Sequence, residues 1–163
     1  MAKSEYDVRV VPSVLDRLID DDPKTLRDSI PSRSDTVREF RRAVQRDLEN
    51  LLNTRNPHFD LPPEFAEVGQ SAVAYGLPDF SALNVGNASD QQRLRHFVEN
   101  ALHSFEPRLT AVVVSLRPST ASERALHLRV DARLSMDPAP EPVSFDIVMP
   151  LASRRYEVRE TES

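Results

Sequence analysis

The sequence predicts an α+β fold: a small antiparallel sheet of three or four strands packed on two main helices, with a short helix near the N-terminus. Three observations carry this reading. Two segments, 36–52 and 89–105, place apolar residues at helical spacing. Residues 126–135 and 143–149 instead alternate apolar and polar residues with the period of two that marks strands. The connections between those later segments are short, which favours an antiparallel meander with one face laid on the helices.

In chain order, residues 1–33 are punctuated by Pro12, Pro23 and Pro31 and carry the acidic run Asp20-Asp21-Asp22. Within them, 13–19 spaces Val14, Leu15, Leu18 and Ile19 along one face, with Ser13 as the N-cap. A helix this short must dock on something to persist. The first main helix, 36–52, opens on a capping box, Thr36 with Glu39. Val37, Phe40, Val44, Leu48, Leu51 and Leu52 make its core stripe, and Arg38, Arg42 and Arg46 line its outer face beside Asp35, Glu39 and Glu49. That outer face reads either as a salt-bridged, solvated surface or as an arginine stripe for a protein partner.

Residues 53–88 are rich in turn formers and hold all three glycines, Gly69, Gly76 and Gly86, with 71–75 apolar enough to dock. The second main helix opens on a second capping box, Ser89 with Gln92, and its stripe is Leu94, Phe97, Val98, Ala101, Leu102 and Phe105. Pro107 ends it. The first strand, 109–116, is apolar on both faces, as a strand buried on both sides would be. The second alternates Leu126, Leu128, Val130, Ala132 and Leu134 with polar residues, and the third repeats the pattern through Val143, Phe145, Ile147 and Met149. The segment 151–163 carries Tyr156 and Val158 at alternate positions, and either adds a short strand or stays mobile. The expected organisation is an N-terminal segment (1–33), one domain (34–150) and a tail (151–163), and a chain ending at Pro150 is expected to fold.

Composition narrows the function. At 163 residues, with 39% hydrophobic and 29% charged residues, the chain is sized for a single core. It has no cysteine, so disulfides, thiolate metal sites and cysteine nucleophiles are excluded. No apolar run approaches the ~20 residues that span a bilayer, and residues 1–10 lack a signal-peptide core, so a soluble, intracellular chain is expected. The net charge of −5 argues against a nucleic-acid partner. The positive charge is almost all arginine, with only Lys3 and Lys24 as lysines. Arginine suits interfacial carboxylate pairs, although a codon bias toward it would produce the same excess.

Catalytic signatures are missing. The three glycines form no phosphate-cradling pattern, and no serine sits in a nucleophile elbow. The histidines are His58, His96, His103 and His127. His96 and His103 share a helix face, but seven residues separate them by ~10 Å along the axis, too far for one metal bound at ~2 Å. No metal, cofactor or catalytic residue is therefore assigned. Glu64, Glu67 and Glu106 are conceivable acids for glycoside hydrolysis, yet carboxylates are abundant here and the chain has no Trp on which a sugar could stack.

Four short segments stand in an order that resembles a known family. Residues 13–18 (SVLDRL) resemble the S-L-L-D-R-L opening of TssE proteins, and 51–55 (LLNTR) are identical to the end of their first long helix. Residues 71–79 (SAVAYGLPD) resemble S-V-x-N-Y-G-L-P-D, with Ala74 in place of the expected Asn. Glu106-Pro107-Arg108 with Leu109 matches the E-P-R-L junction of the whole wedge family, including the lysozyme-like baseplate wedge proteins of contractile phage tails. The resemblance implies a structural, non-enzymatic subunit of the type VI secretion baseplate, cytoplasmic and held at the inner membrane through other subunits. It would join the wedge subunits TssF, TssG and TssK, and start the sheath.

On this reading the partner-binding residues are Glu106, Pro107, Arg108, Asn53, Thr54, Arg55, Tyr75 and Gly76. Each also has a local reading. Asn53 suits a helix C-cap, Gly76 permits a turn after Tyr75, and Glu106 and Arg108 could simply pair with each other. On the residues alone, a local pair and a fork offered to a neighbouring subunit weigh equally; the resemblance favours the fork. The alternatives are a peptidoglycan-cleaving enzyme, as the family's lysozyme-like label suggests, and an anti-adaptor-like regulatory protein of the same fold superfamily. The missing active-site architecture argues against the enzyme, and the LLNTR and YGLPD segments favour the secretion branch.

Overall fold

The computed structural model describes residues 13–19, 33–56, 63–80, 83, 86–117, 125–150 and 152–161. The readings of 1–12 and 20–32, of Pro57, His58 and Pro62, and of the last two residues lie outside these. The described elements are α1 (Val14–Leu18), α2 (Arg33–Asn53), two 3-10 turns (Pro63–Gln70 and Ala72–Ala74), α3 (Ala88–Phe105), β1 (Leu109–Arg117), β2 (Ala125–Leu134), β3 (Glu141–Pro150) and β4 (Glu157–Glu160). The four strands form one antiparallel sheet in sequence order, β1-β2-β3-β4. The α+β architecture follows from the periodicities.

The helical stripes make the core with the sheet. Phe40, Val44, Leu48, Leu51 and Leu52 of α2 and Leu94, Val98, Ala101 and Leu102 of α3 are buried together with Leu128, Val130, Phe145 and Ile147. Both helices start earlier than the capping boxes predict. α2 is already helical at Arg33, so Thr36 lies inside its first turns and is not the cap. α3 is capped by Asn87, whose side chain accepts the Ser89 N–H at 2.9 Å. Asparagine caps as well as serine does, and here it stands first in the chain.

The first strand departs from its expected burial. β1 is an edge strand that breaks register between Thr110 and Val113, where Ala111 adopts a positive φ of 51°. Beyond this bulge Val113 is 58% exposed while Val114 is buried. The helices cover one face of the sheet, and among the described residues nothing buries the second face of β1, however apolar its sequence.

The segment after Pro150 takes the strand of its two expected fates. β4 pairs with β3 and buries Tyr156 and Val158. Three side chains of α2 hold it. Arg41 pairs with Glu160 at 2.7 Å and with Glu141 of β3 at 2.5 Å, and Gln45 Nε2 donates to the Val158 carbonyl at 2.8 Å. Asn53 clasps Tyr156: its Nδ2 donates to the Tyr156 carbonyl at 2.9 Å and its Oδ1 accepts the Tyr156 N–H at 2.8 Å.

On each edge of the sheet a helix side chain takes up one outward backbone group. The Thr161 N–H bonds the Ser144 carbonyl, and by the alternation of an antiparallel ladder the Val158 carbonyl then points away from β3. Gln45 occupies it. On β1, the Val114 N–H donates to Glu99 Oε1 of α3 at 3.2 Å.

Candidate partner-binding site at the helix–strand junction

α3 ends where Glu106 closes its last turn, with the Glu106 N–H on the Leu102 carbonyl at 2.9 Å. Pro107 is exposed at the corner, and the chain re-enters at β1, tied to the end of β2 by the Ser135 N–H on the Arg108 carbonyl at 2.8 Å. Glu106 is 3% exposed and is the one charged or polar residue among the described buried ones. A carboxylate so buried must be paired. Arg108 supplies the pair with its fork, Nε to Oε1 at 2.6 Å and Nη2 to Oε2 at 2.5 Å.

The same guanidinium reaches Asp47 of α2, Nη2 to Oδ2 at 2.6 Å, and lies 5.8 Å from the centroid of the Phe40 ring. Its remaining corner, Nη1, stands 3.7 Å from Asp16 of α1 and is buried without a hydrogen bond. Burial acts against the Arg108 charge, but its hydrogen bonds to Glu106 and Asp47 outweigh it and hold the proton more firmly than usual. Arg46 extends the cluster, with Nη2 to Asp16 Oδ1 at 2.6 Å and to Asp47 Oδ1 at 2.9 Å. Three carboxylates therefore share two guanidinium groups.

The Arg108 fork is thus engaged inside the chain, as the local reading of Glu106 and Arg108 allows. Of the expected helix-surface pairs, Asp35–Arg38 forms at 2.7 Å, whereas Arg46 turns to Asp16 and Asp47. The functional reading of the sequence missed Asp47. The signal was present: it lies between Val44 and Leu51 at helical spacing, on the buried side of α2, where a carboxylate needs a cation.

The 53–55 and 75–79 motifs, far apart in sequence, form one unit. Arg55 and Leu77 make an isolated parallel bridge, with the Leu77 N–H on the Thr54 carbonyl at 2.9 Å and the Asn56 N–H on the Leu77 carbonyl at 2.9 Å. Gly76 has a φ of 109°, and a Cβ there would run into the Thr54 carbonyl. Glycine is thus required twice over, by conformation and by space. Thr54 Oγ1 donates to the Asn50 carbonyl at 2.7 Å, and Arg55 pairs with Asp79 at 2.9 Å in the open. Tyr75 then links this unit to the junction. Its ring meets Phe105 edge-on at 5.3 Å, and burial, with the charges of Asp47 and Glu106, pushes its hydroxyl pKa up.

Asn53 does more than the expected cap, since it holds β4 as well as the Glu49 carbonyl. Among the eight residues expected at an interface, Pro107 and Arg55 face outward. Gly76 and Glu106 are buried, and Asn53, Thr54, Tyr75 and Arg108 are half-buried.

Glu64 and Glu67 are exposed on the first 3-10 turn, and Glu106 is committed to Arg108. Among the described residues no group of three or more His, Asp or Glu is placed to hold a metal ion, and no helix is long and apolar enough to cross a membrane. The fold and the junction define a small α+β domain whose charged groups brace segments against one another. Residues 38–139, more than half of the chain, match the family described as baseplate wedge protein gp25, and the chain belongs to that family of phage-tail-like baseplate structural proteins. The match spans the junction, both main helices almost entirely, β1 and β2; α1, β3 and β4 lie beyond it. A search of curated proteins finds no match to the chain.

Proposed function

We propose that this wedge protein is a TssE-type subunit of a type VI secretion baseplate, non-enzymatic, cytoplasmic and joined to TssF, TssG and TssK. The observation that carries the secretion branch is the pair of motifs at 51–55 and 75–79, which are packed together as a single bridge. Motifs that depend on each other in space are harder to acquire by chance than two separate matches. The partners meet the helix–strand corner at exposed Pro107 and half-buried Arg108, with Glu106 behind them, and the neighbouring surface at Arg55, which half-buried Asn53, Thr54 and Tyr75 and the buried Gly76 turn support.

The contractile sheath begins on the sheet by strand addition, where main-chain hydrogen bonds supply affinity. β1 is the longer edge and exposes Val113. In cells, loss of this protein is expected to abolish fluorescent sheaths, and the purified chain is expected to co-purify with co-expressed TssF and TssG. Sheaths in normal number without it, or failure of the complex to form, would reject this function.

A further inference from the structure

α1 is five residues long, too short to persist unaided, and the side chains that would normally dock it face water. Val14 and Leu18 are each 75% exposed, and Leu15 and Ile19 are exposed as well. The described contact that anchors it is the Asp16 carboxylate. One oxygen bonds Arg46 Nη2 at 2.6 Å; the other stands 3.7 Å from Arg108 Nη1, beyond hydrogen-bond range, and leaves that buried nitrogen unbonded. Asp16 thus fits Arg46 well and Arg108 poorly.

Arg46 and Arg108 present one corner each to the same oxygen pair, while their other edges are filled by Asp47 and Glu106. Such a pair of guanidinium corners is a receptor for a carboxylate. With Asp16 withdrawn, two arginines face two carboxylates, so one incoming carboxylate restores the resting charge. Withdrawing α1 also uncovers little apolar surface, because its aliphatic side chains are already in water.

We propose that Arg46 and Arg108 form a carboxylate-receiving site for an acidic side chain of a neighbouring wedge subunit, and that Asp16 is its internal occupant, displaced when that subunit docks. Naming the partner rests on the wedge reading above; the site itself does not. A partner carboxylate that reaches Arg108 Nη1 satisfies the nitrogen that Asp16 leaves unbonded. The released α1 then carries Val14, Leu15, Leu18 and Ile19 free to meet the same partner.

The test uses the full chain and a fluorescein-labelled hexaglutamate peptide at low salt. Asp16 lies outside the apolar core, so Asp16→Asn keeps the fold, which circular dichroism verifies. Asp16→Asn is expected to bind hexaglutamate at least about fivefold more tightly than the unaltered chain. Adding Arg46→Gln should remove that gain, and Asp16→Glu should restore the weaker binding. In the unaltered chain, hexaglutamate should also speed amide exchange within α1. No gain in Asp16→Asn, or a gain that survives Arg46→Gln, overturns the proposal.

A second titration with the TssF–TssG complex separates the two ideas. If the unaltered chain binds the complex and Asp16→Asn binds it no better, displacement is overturned and the wedge reading stands. If neither binds the complex while the hexaglutamate gain holds, the wedge reading falls and the carboxylate site stands.

Discussion

Arg108 shows how one side chain can determine what a junction tolerates. Its fork neutralises Glu106, which is nearly inaccessible, and holds Asp47 of α2 at the same time. Arg108→Ala would leave both carboxylates without that cation in a poorly solvated corner. A fork offered to a neighbouring subunit, the reading the resemblance favours, would leave Arg108→Ala folded and deprived only of its partners. The pairing instead predicts a loss of about 3 kcal/mol in urea unfolding, before any effect on assembly. Arg108→Met combined with Glu106→Gln should lose less than Arg108→Ala, because no buried charge is then left unpaired. Equal losses would show that packing, not charge, dominates the junction.

Asp16 gives the matching prediction in pH. Burial pushes its carboxyl up, but hydrogen bonds from Ser13 and Arg46 outweigh that and hold it below the ordinary carboxylate range. Its folded pKa lies under its unfolded value, so its contribution is complete at neutral and mildly acid pH and is lost as pH falls through the folded value. α1 should therefore stay docked from pH 7 to 5 and loosen only below about pH 4. A fluorophore at Leu18→Cys, in a chain that has no other cysteine, reads the transition. Release already at pH 6 would mean that some other group holds the helix. The Ser13 cap and its place in the chain were legible in the sequence. The residues that Asp16 grips were not, because Arg46 and Arg108 lie 30 and 92 positions away.

At the scale of elements, β4 closes the alternative that the sequence left open. The alternation of Tyr156 and Val158 was visible, but four residues are too few to separate a strand from an unpaired end. What settles the matter is α2, which offers Arg41, Gln45 and Asn53 to the incoming segment. A chain ending at Pro150, expected from the sequence to fold, should instead lose about 4 kcal/mol or more of stability, from the burial of Tyr156 and Val158 alone. Asn53→Ala in the full chain should lose about 2 kcal/mol, since it orphans both backbone groups of Tyr156. Urea midpoints compare the three proteins directly. A truncated chain as stable as the full one would make β4 an appendage.

At the scale of the whole molecule, the carboxylates that could suggest hydrolysis are scattered in role. Glu64 and Glu67 lie exposed on a 3-10 turn, and Glu106 is bound to Arg108 at the far end of α3. The purified protein is expected not to clear peptidoglycan, and Glu64→Gln, Glu67→Gln and Glu106→Gln should share no hydrolytic defect. Reproducible wall cleavage abolished by one of these changes would return the protein to the enzymes. The architecture instead gathers four short motifs around α2: Asp16 and Arg108 meet at Arg46 and Asp47, and the Gly76 turn packs beside Thr54.

By itself the sequence determined the fold class, both core helices, the three longer strands and the family, because periodicity and short motifs are local and survive without knowledge of neighbours. Only the tertiary structure decided that β1 is an edge, that α1 docks through a carboxylate with its apolar side outward, and that the Arg108 fork turns inward. These depend on which distant groups come within a few ångströms of one another. Coulomb and hydrogen-bond terms act over that range, and hydrophobic spacing along a chain carries no record of it.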